Sequence, residues 1–247
     1  FTLFGVLQFM FNLKQFSISV ATLVATVTAS TVCPTTAQAA SIDTASSWDG
    51  TNQVIPFGET NTATYGQTFT VGTDSILQKF SFWLGGYQSG SDGVDFAAYV
   101  MKWDGAKAVG SVLYESSQRL KSPTATFEEF SFNTGGISLT SGQQYVAFLS
   151  ASKFFDGIEG LIGMGFTGDA YSGGNFVYYN NGSNFAALNS SIWDGSGYTS
   201  DAAFRASFTS DTTSIPTPAL LPGLIGLGLG VLRKRKAQAQ AVLEEKA

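Results

Sequence analysis

The chain has 247 residues and no histidine, so no Ser-His-Asp or Cys-His catalytic set and no His-ligated zinc or iron site is open to it. Between Ala40 and Ser214, sixteen acidic residues stand against seven basic ones, a net charge near −9; nucleic acid, which needs a basic stripe, is excluded as a partner. The same stretch is rich in Gly, Ser, Thr, Phe and Tyr and has no long runs of Ala, Leu, Glu and Lys, a composition that favours sheet over helix.

The N-terminal residues carry an export signature. Met10-Phe11-Asn12-Leu13-Lys14 reads as a start followed by a short positive region, and Phe16 to Ala29 is an uncharged apolar stretch. Ala37-Gln38-Ala39 supplies the small-x-small cleavage pattern. Residues 1–9 then read as upstream sequence, and residues 1–39 as a leader for the Sec translocon and signal peptidase, cut after Ala39. The one cysteine, Cys33, falls inside that leader, and Val32 before it does not fit a lipobox. The mature chain is therefore expected to hold neither thiol nor disulfide, which a module of about 170 residues can do without because its core is large.

Residues 40–209 are expected to form one all-β ectodomain, a two-sheet antiparallel β-sandwich of jelly-roll type. Strands are predicted at 64–71, 76–84, 94–103, 111–115, 127–132, 144–150, 161–166, 176–179 and 203–208. In the second of these, Ile76, Phe80, Phe82 and Leu84 share one face while Lys79 and Ser81 take the other, with Gln78 interrupting the inner face and Trp83 the outer. In 144–150, Tyr145, Ala147 and Leu149 alternate with Val146 and Phe148, so both faces are apolar, as in a central strand covered on two sides. Leu139-Thr-Ser-Gly142-Gln-Gln-Tyr145 has the spacing of a tyrosine corner, with the Tyr145 hydroxyl reaching back to upstream backbone.

Trp-Asp-Gly occurs at Trp48, Trp103 and Trp193. Asp-Gly is a turn signal and the preceding Trp can close a core edge; the same rings, exposed, would stack on sugar faces. The glycan candidates are Trp103, Tyr178, Tyr179 and Trp193. Calcium is a candidate ligand at Asp92 and Asp95, or at Asp156 and Glu159, which pair hard oxygen donors beside glycines. Neither pair matches an EF-hand loop. Hydrolysis of a glycoside by two carboxylates needs no histidine, but adjacent Glu128 and Glu129 point to opposite faces of a strand, and Glu115 with Asp95 is the remaining pair. The module is read as non-enzymatic: a glycan or exopolysaccharide contact protein, or a purely structural matrix protein.

Residues 210–215 form a polar linker. Pro216-Thr217-Pro218-Ala219 follows, then an apolar run to Leu232, then Arg233-Lys234-Arg235-Lys236. The run of 14 residues from Ala219 to Leu232 spans about 21 Å as a helix, short of the roughly 30 Å hydrocarbon core, and the basic cluster is a flank that stays cytoplasmic. This order over residues 215–236 resembles the PEP-CTERM class of bacterial sorting signals, in its Pro-Thr-Pro-Ala variant typical of cyanobacterial proteins. Thr217 stands where the main family carries Glu. The resemblance implies transient anchoring in the inner membrane, recognition of Pro216 to Ala219 by an exosortase-like enzyme, and release to the cell envelope or extracellular matrix. Residues 237–247 would be a cytoplasmic tail. Residues 133–149, with Tyr65-Gly-Gln-Thr-Phe69, also resemble the ectodomains often joined to such tails, which implies fold and no activity.

Overall fold

A computed structural model describes residues 40–195 and 198–211. The leader with Ala37 and Ala39, the sorting motif, the apolar run and the basic cluster lie outside these described residues. Among the described residues no helix is long and apolar enough to cross a membrane.

The elements in chain order are β1 (Ser41–Asp43), β2 (Gln53–Gly58), β3 (Thr64–Thr70), β4 (Ile76–Gly90), β5 (Val94–Trp103), β6 (Ala108–Glu115) and β7 (Arg119–Lys121). They continue with β8 (Glu128–Ser138), β9 (Gln144–Ser150), β10 (Gly160–Thr167), β11 (Phe176–Tyr179), the single turn α1 (Ala187–Ser190), β12 (Asp201–Ala202) and β13 (Phe204–Thr209). All strand pairs within the two sheets are antiparallel. The first sheet runs β1-β13-β4-β8, and the second runs β3-β9-β5-β6. That is the two-Greek-key order of a jelly roll, so the sandwich expected from composition and alternation is present. The remaining strands are extensions. β10 and β2 add to the first sheet along the second half of β4, and β11 adds to the second sheet beyond β3.

The inner faces make the main core. Leu77, Phe80, Phe82 and Leu84 of β4, with Phe204, Ala206 and Phe208 of β13, pack against Tyr65 and Phe69 of β3, Phe96 of β5 and Tyr145 of β9. One detail departs from strict alternation. Gln78 is an extra residue of β4 opposite the Ser207–Phe208 step of β13. This bulge shifts the pleat by one position, so Leu77 is buried in place of Ile76, which is half-exposed.

The second sheet is covered on its outer side as well. Ala97, Tyr99, Met101 and Trp103 of β5 join Val146 and Phe148 of β9 in a second core, closed by Val177, Leu188 and Trp193. This is why β9 is apolar on both faces. The tyrosine corner also forms: Gly142 has φ +75°, Leu139 is buried, and the Thr140 amide donates to the Tyr145 hydroxyl at 3.0 Å. Tyr145→Phe leaves that amide without its partner and is expected to lower unfolding free energy by about 1 kcal/mol in chemical denaturation.

A buried polar network joins the sheets at one end. The Gln67 amide on β3 donates to Asp201 Oδ1 at 2.7 Å, and its Oε1 accepts the Ala202 N–H at 2.8 Å. Asp201 Oδ2 accepts from the Ala170 and Tyr171 amides at 2.8 and 2.9 Å. Burial pushes the Asp201 carboxyl up from its ordinary value, against the pull of these N–H donors.

Candidate functional site

The outward face of the first sheet is polar. Alternation turns Ser41 and Asp43 on β1, Arg205 and Ser207 on β13, Lys79, Ser81 and Trp83 on β4, and Glu129 and Ser131 on β8 away from the core. Register aligns them in rows, with Asp43 opposite Arg205, Arg205 opposite Ser81, and Ser81 opposite Ser131. The twisted face forms a trough of about 400 Å³ lined by Asp43, Lys79, Ser81, Glu129, Arg205 and Ser207, among others.

Its polar groups are partly pre-arranged. Arg205 Nε pairs with Asp43 Oδ2 at 3.0 Å, and the guanidinium carbon lies 5.1 Å from the centre of the Trp83 ring. The hydroxyls of Ser81 and Ser131 share a hydrogen bond of 2.9 Å, and Ser131 donates to Glu129 Oε1 at 3.3 Å. Lys79 is exposed and has no ion-pair partner among the described residues.

An aromatic shelf closes one end. Trp83 meets Trp48 with ring centres 6.4 Å apart, and Trp48 meets Phe127 edge-on at 4.8 Å. The shelf depends on the β7–β8 turn, which the buried Lys121 ammonium holds. It donates to Thr124 Oγ1 at 2.7 Å, Ser122 O at 3.1 Å and Glu128 Oε1 at 3.0 Å. Gly85 lets that turn settle on β4, since a Cβ there would lie 2.6 Å from the Phe127 Cα. Carboxylates, a guanidinium, an amine and hydroxyls spaced along one strip, beside indole rings, are the donors and acceptors that recognise a polyhydroxylated chain.

The candidates chosen from sequence sit elsewhere. Trp103 and Trp193 are buried at 5% and 1% exposure and pack edge-to-face at 5.4 Å in the second core, so neither ring presents a face to a sugar. The three Trp-Asp-Gly motifs, that of Trp48 included, are turns: Gly50, Gly105 and Gly195 all have positive φ, and Asp49 and Asp104 accept backbone N–H groups two and three residues on. Those bonds hold both carboxyls below the ordinary value. Tyr179 stacks on Trp193 at 11°, and Tyr178 is half-buried between Tyr65, Phe176 and Tyr198.

The four calcium candidates are each engaged with protein donors. Asp92 accepts from the Gly93 amide, Asp95 from Gln118, Asp156 from the Ile158 amide, and Glu159 from Ser89 and Thr60. No three His, Cys, Asp or Glu side chains converge as a metal site among the described residues. The acid that sequence reasoning overlooked is Glu59, which is buried and accepts the Asp156 and Gly157 amides at 2.8 and 3.3 Å. Glu128 and Glu129 do take opposite faces: Glu128 pairs with Lys121 and Glu129 lines the trough. Glu115 is paired with Lys153 at 2.7 Å.

No protein-family model matches the chain, and no curated protein matches it. A solved structure of the cysteine protease and lectin-like domains of Cwp84, a surface-layer-associated protein of Clostridium difficile, is similar to it at 12% identity and a TM-score of 0.38. That similarity covers 61% of this chain and 32% of the other, so the chain spans about a third of that structure.

Proposed function

We propose that this chain is an exported envelope or extracellular-matrix protein whose β-sandwich contacts polysaccharide through the outer face of its first sheet. The observation that carries the binding part is the trough beside Trp83, where Asp43, Lys79, Glu129 and Arg205 line one strip. The module's surface is otherwise acidic. Of its seven basic residues two stand in the trough, against two of its fifteen acids, so a strip of balanced charge is set into an anionic surface. Export rests on the leader and on the sorting tail that resembles the PEP-CTERM class, with an exosortase-like enzyme as the processing partner.

The test is binding of the exported protein to a panel of neutral and acidic polysaccharides, with and without calcium. Arg205→Ala and Trp83→Ala are expected to weaken binding about tenfold each, equivalent to about 1.4 kcal/mol, while Trp48 and the fold stay in place. Silence across the whole panel favours the structural-matrix role instead.

A further inference from the structure

The two ends of the module meet on one carboxylate. The Ala40 backbone nitrogen donates to Asp74 Oδ2 at 3.0 Å, and the Ser210 hydroxyl donates to Asp74 Oδ1 at 2.5 Å. Asp74 sits in the turn between β3 and β4, 34 residues from Ala40 and 136 from Ser210. Ala40 is held on its other side too, because its carbonyl accepts the Phe208 amide of β13 at 2.8 Å. It leads directly into β1, which pairs Ser41 with Ser207.

Ala40 is also the residue that follows the expected leader cut. In the uncut chain its nitrogen is a neutral amide with one proton to give. Hydrolysis of the Ala39–Ala40 bond by a signal peptidase adds water across it, leaving a carboxylate on Ala39 and an α-ammonium on Ala40. We infer that Asp74 is a built acceptor for that new α-ammonium, so that removal of the leader converts a hydrogen bond between a neutral amide and a carboxylate into an ion pair that locks β1 to the end of the module. The inference rests on the export reading and adds to it the exact residue that receives the mature N-terminus. Charge on the donor as well as the acceptor adds a direct Coulombic attraction to a bond that the carboxylate alone already strengthens. β1 is the edge of its sheet and only three residues long, so its seating depends on what happens at its first residue.

Other charges near this end do not replace Asp74. Arg205 of the neighbouring β13 is committed to Asp43, Lys79 on β4 carries the same sign as the ammonium, and among the described residues the Ala40 nitrogen donates to Asp74 and not to Asp211, which follows Ser210 along the chain. Hydrogen bonds from Ser210 and Ala40 already hold the Asp74 carboxyl below its ordinary value, so it is ionised throughout the range in which the amine titrates. An α-amine beside it has a folded-state pKa above its unfolded value of about 7.7–8.0. The stabilisation is then complete near neutral pH up to about 7.7, is lost as the pH rises through the folded-state pKa of the amine, and is lost in acid as Asp74 protonates.

The experiment expresses the full chain in a host that exports it, and reads the mass and first residue of the processed protein. A start at Ala40 is expected. The α-amine is then labelled by reductive 13C-methylation, which keeps its charge, and titrated by NMR. Its pKa is expected above about 8.0 in the wild type, back within about 7.7–8.0 in Asp74→Asn, and still raised in Ser210→Ala, which removes only the C-terminal bond. A chain that keeps its leader overturns the export reading together with this inference. Cleavage at another bond, or an amine that titrates alike in wild type and Asp74→Asn, overturns this inference and leaves export standing.

Discussion

Replacing Trp193 by alanine is expected to lower the unfolding free energy by about 3–5 kcal/mol and to leave polysaccharide binding by the folded fraction unchanged. Trp193 is 1% exposed. Its ring lies edge-on to Trp103 at 5.4 Å and to Phe148 at 5.3 Å, and its Nε1 donates to the Leu188 carbonyl at 2.9 Å. Alanine opens a cavity over the outer face of the second sheet and removes the donor that fixes α1. Phe148 and Tyr99, stacked beneath at 18°, lose their cover. Equilibrium denaturation measures the loss. A Trp193→Ala protein as stable as wild type but unable to bind glycan would return the ring to the role of a sugar platform.

Asp201→Ala is the second large effect, expected at about 3 kcal/mol. The residue is fully buried; alanine strands the buried Gln67 amide and takes the acceptor from the N–H groups of exposed Ala170 and half-buried Tyr171. Each unsatisfied buried donor costs about 1–3 kcal/mol. Asp201→Asn keeps the shape but presents an NH2 group to a site where the neighbours donate, so it is expected to fall between wild type and alanine. Because Gln67 belongs to the second sheet and Asp201 to the first extension strand β12, the damage falls on the seam between layers. Chemical denaturation of both variants, with Gln67→Ala as the coupled partner, measures it; the Asp201 and Gln67 losses are expected to be non-additive.

Much of the fold was legible because period-2 patterning records burial directly. The two-sided apolarity of 144–150 correctly announced a strand covered on both faces, and the Leu-Gly-Tyr spacing announced the tyrosine corner. The extent of β4 was not legible. Its second half, from Gly85 to Gly90, is Gly- and Ser-rich and reads as turn, and only pairing with β10 makes it strand. β1, β2, β7 and β12 escaped for a related reason: three are two or three residues long, and β2 carries Pro56, which ordinarily speaks against a strand.

The site was misread for a reason that the sequence itself contained. The stretch 94–103 is apolar at nearly every position, as in a strand buried on both faces, and Trp103 belongs to that run. Trp83 carried the opposite signal. It interrupts a polar outer face of Lys79 and Ser81, and so marks the outward side of β4 and not the core. What no spacing could supply is the partner set. Asp43, Glu129 and Arg205 are far apart in the chain and meet Trp83 only through the β1-β13-β4-β8 order.

The four tryptophans provide the most direct test of the proposed polysaccharide face. Each gives one indole N–H signal, and Trp48 and Trp83 stand at the trough while Trp103 and Trp193 stand in the second core. Titrating the 15N-labelled protein with an oligosaccharide that it binds is expected to move the Trp83 and Trp48 indole signals and the Arg205 Nε signal, with Trp103 and Trp193 unmoved. Movement of Trp103 and Trp193 with Trp48, Trp83 and Arg205 stationary would contradict the assignment of the binding face.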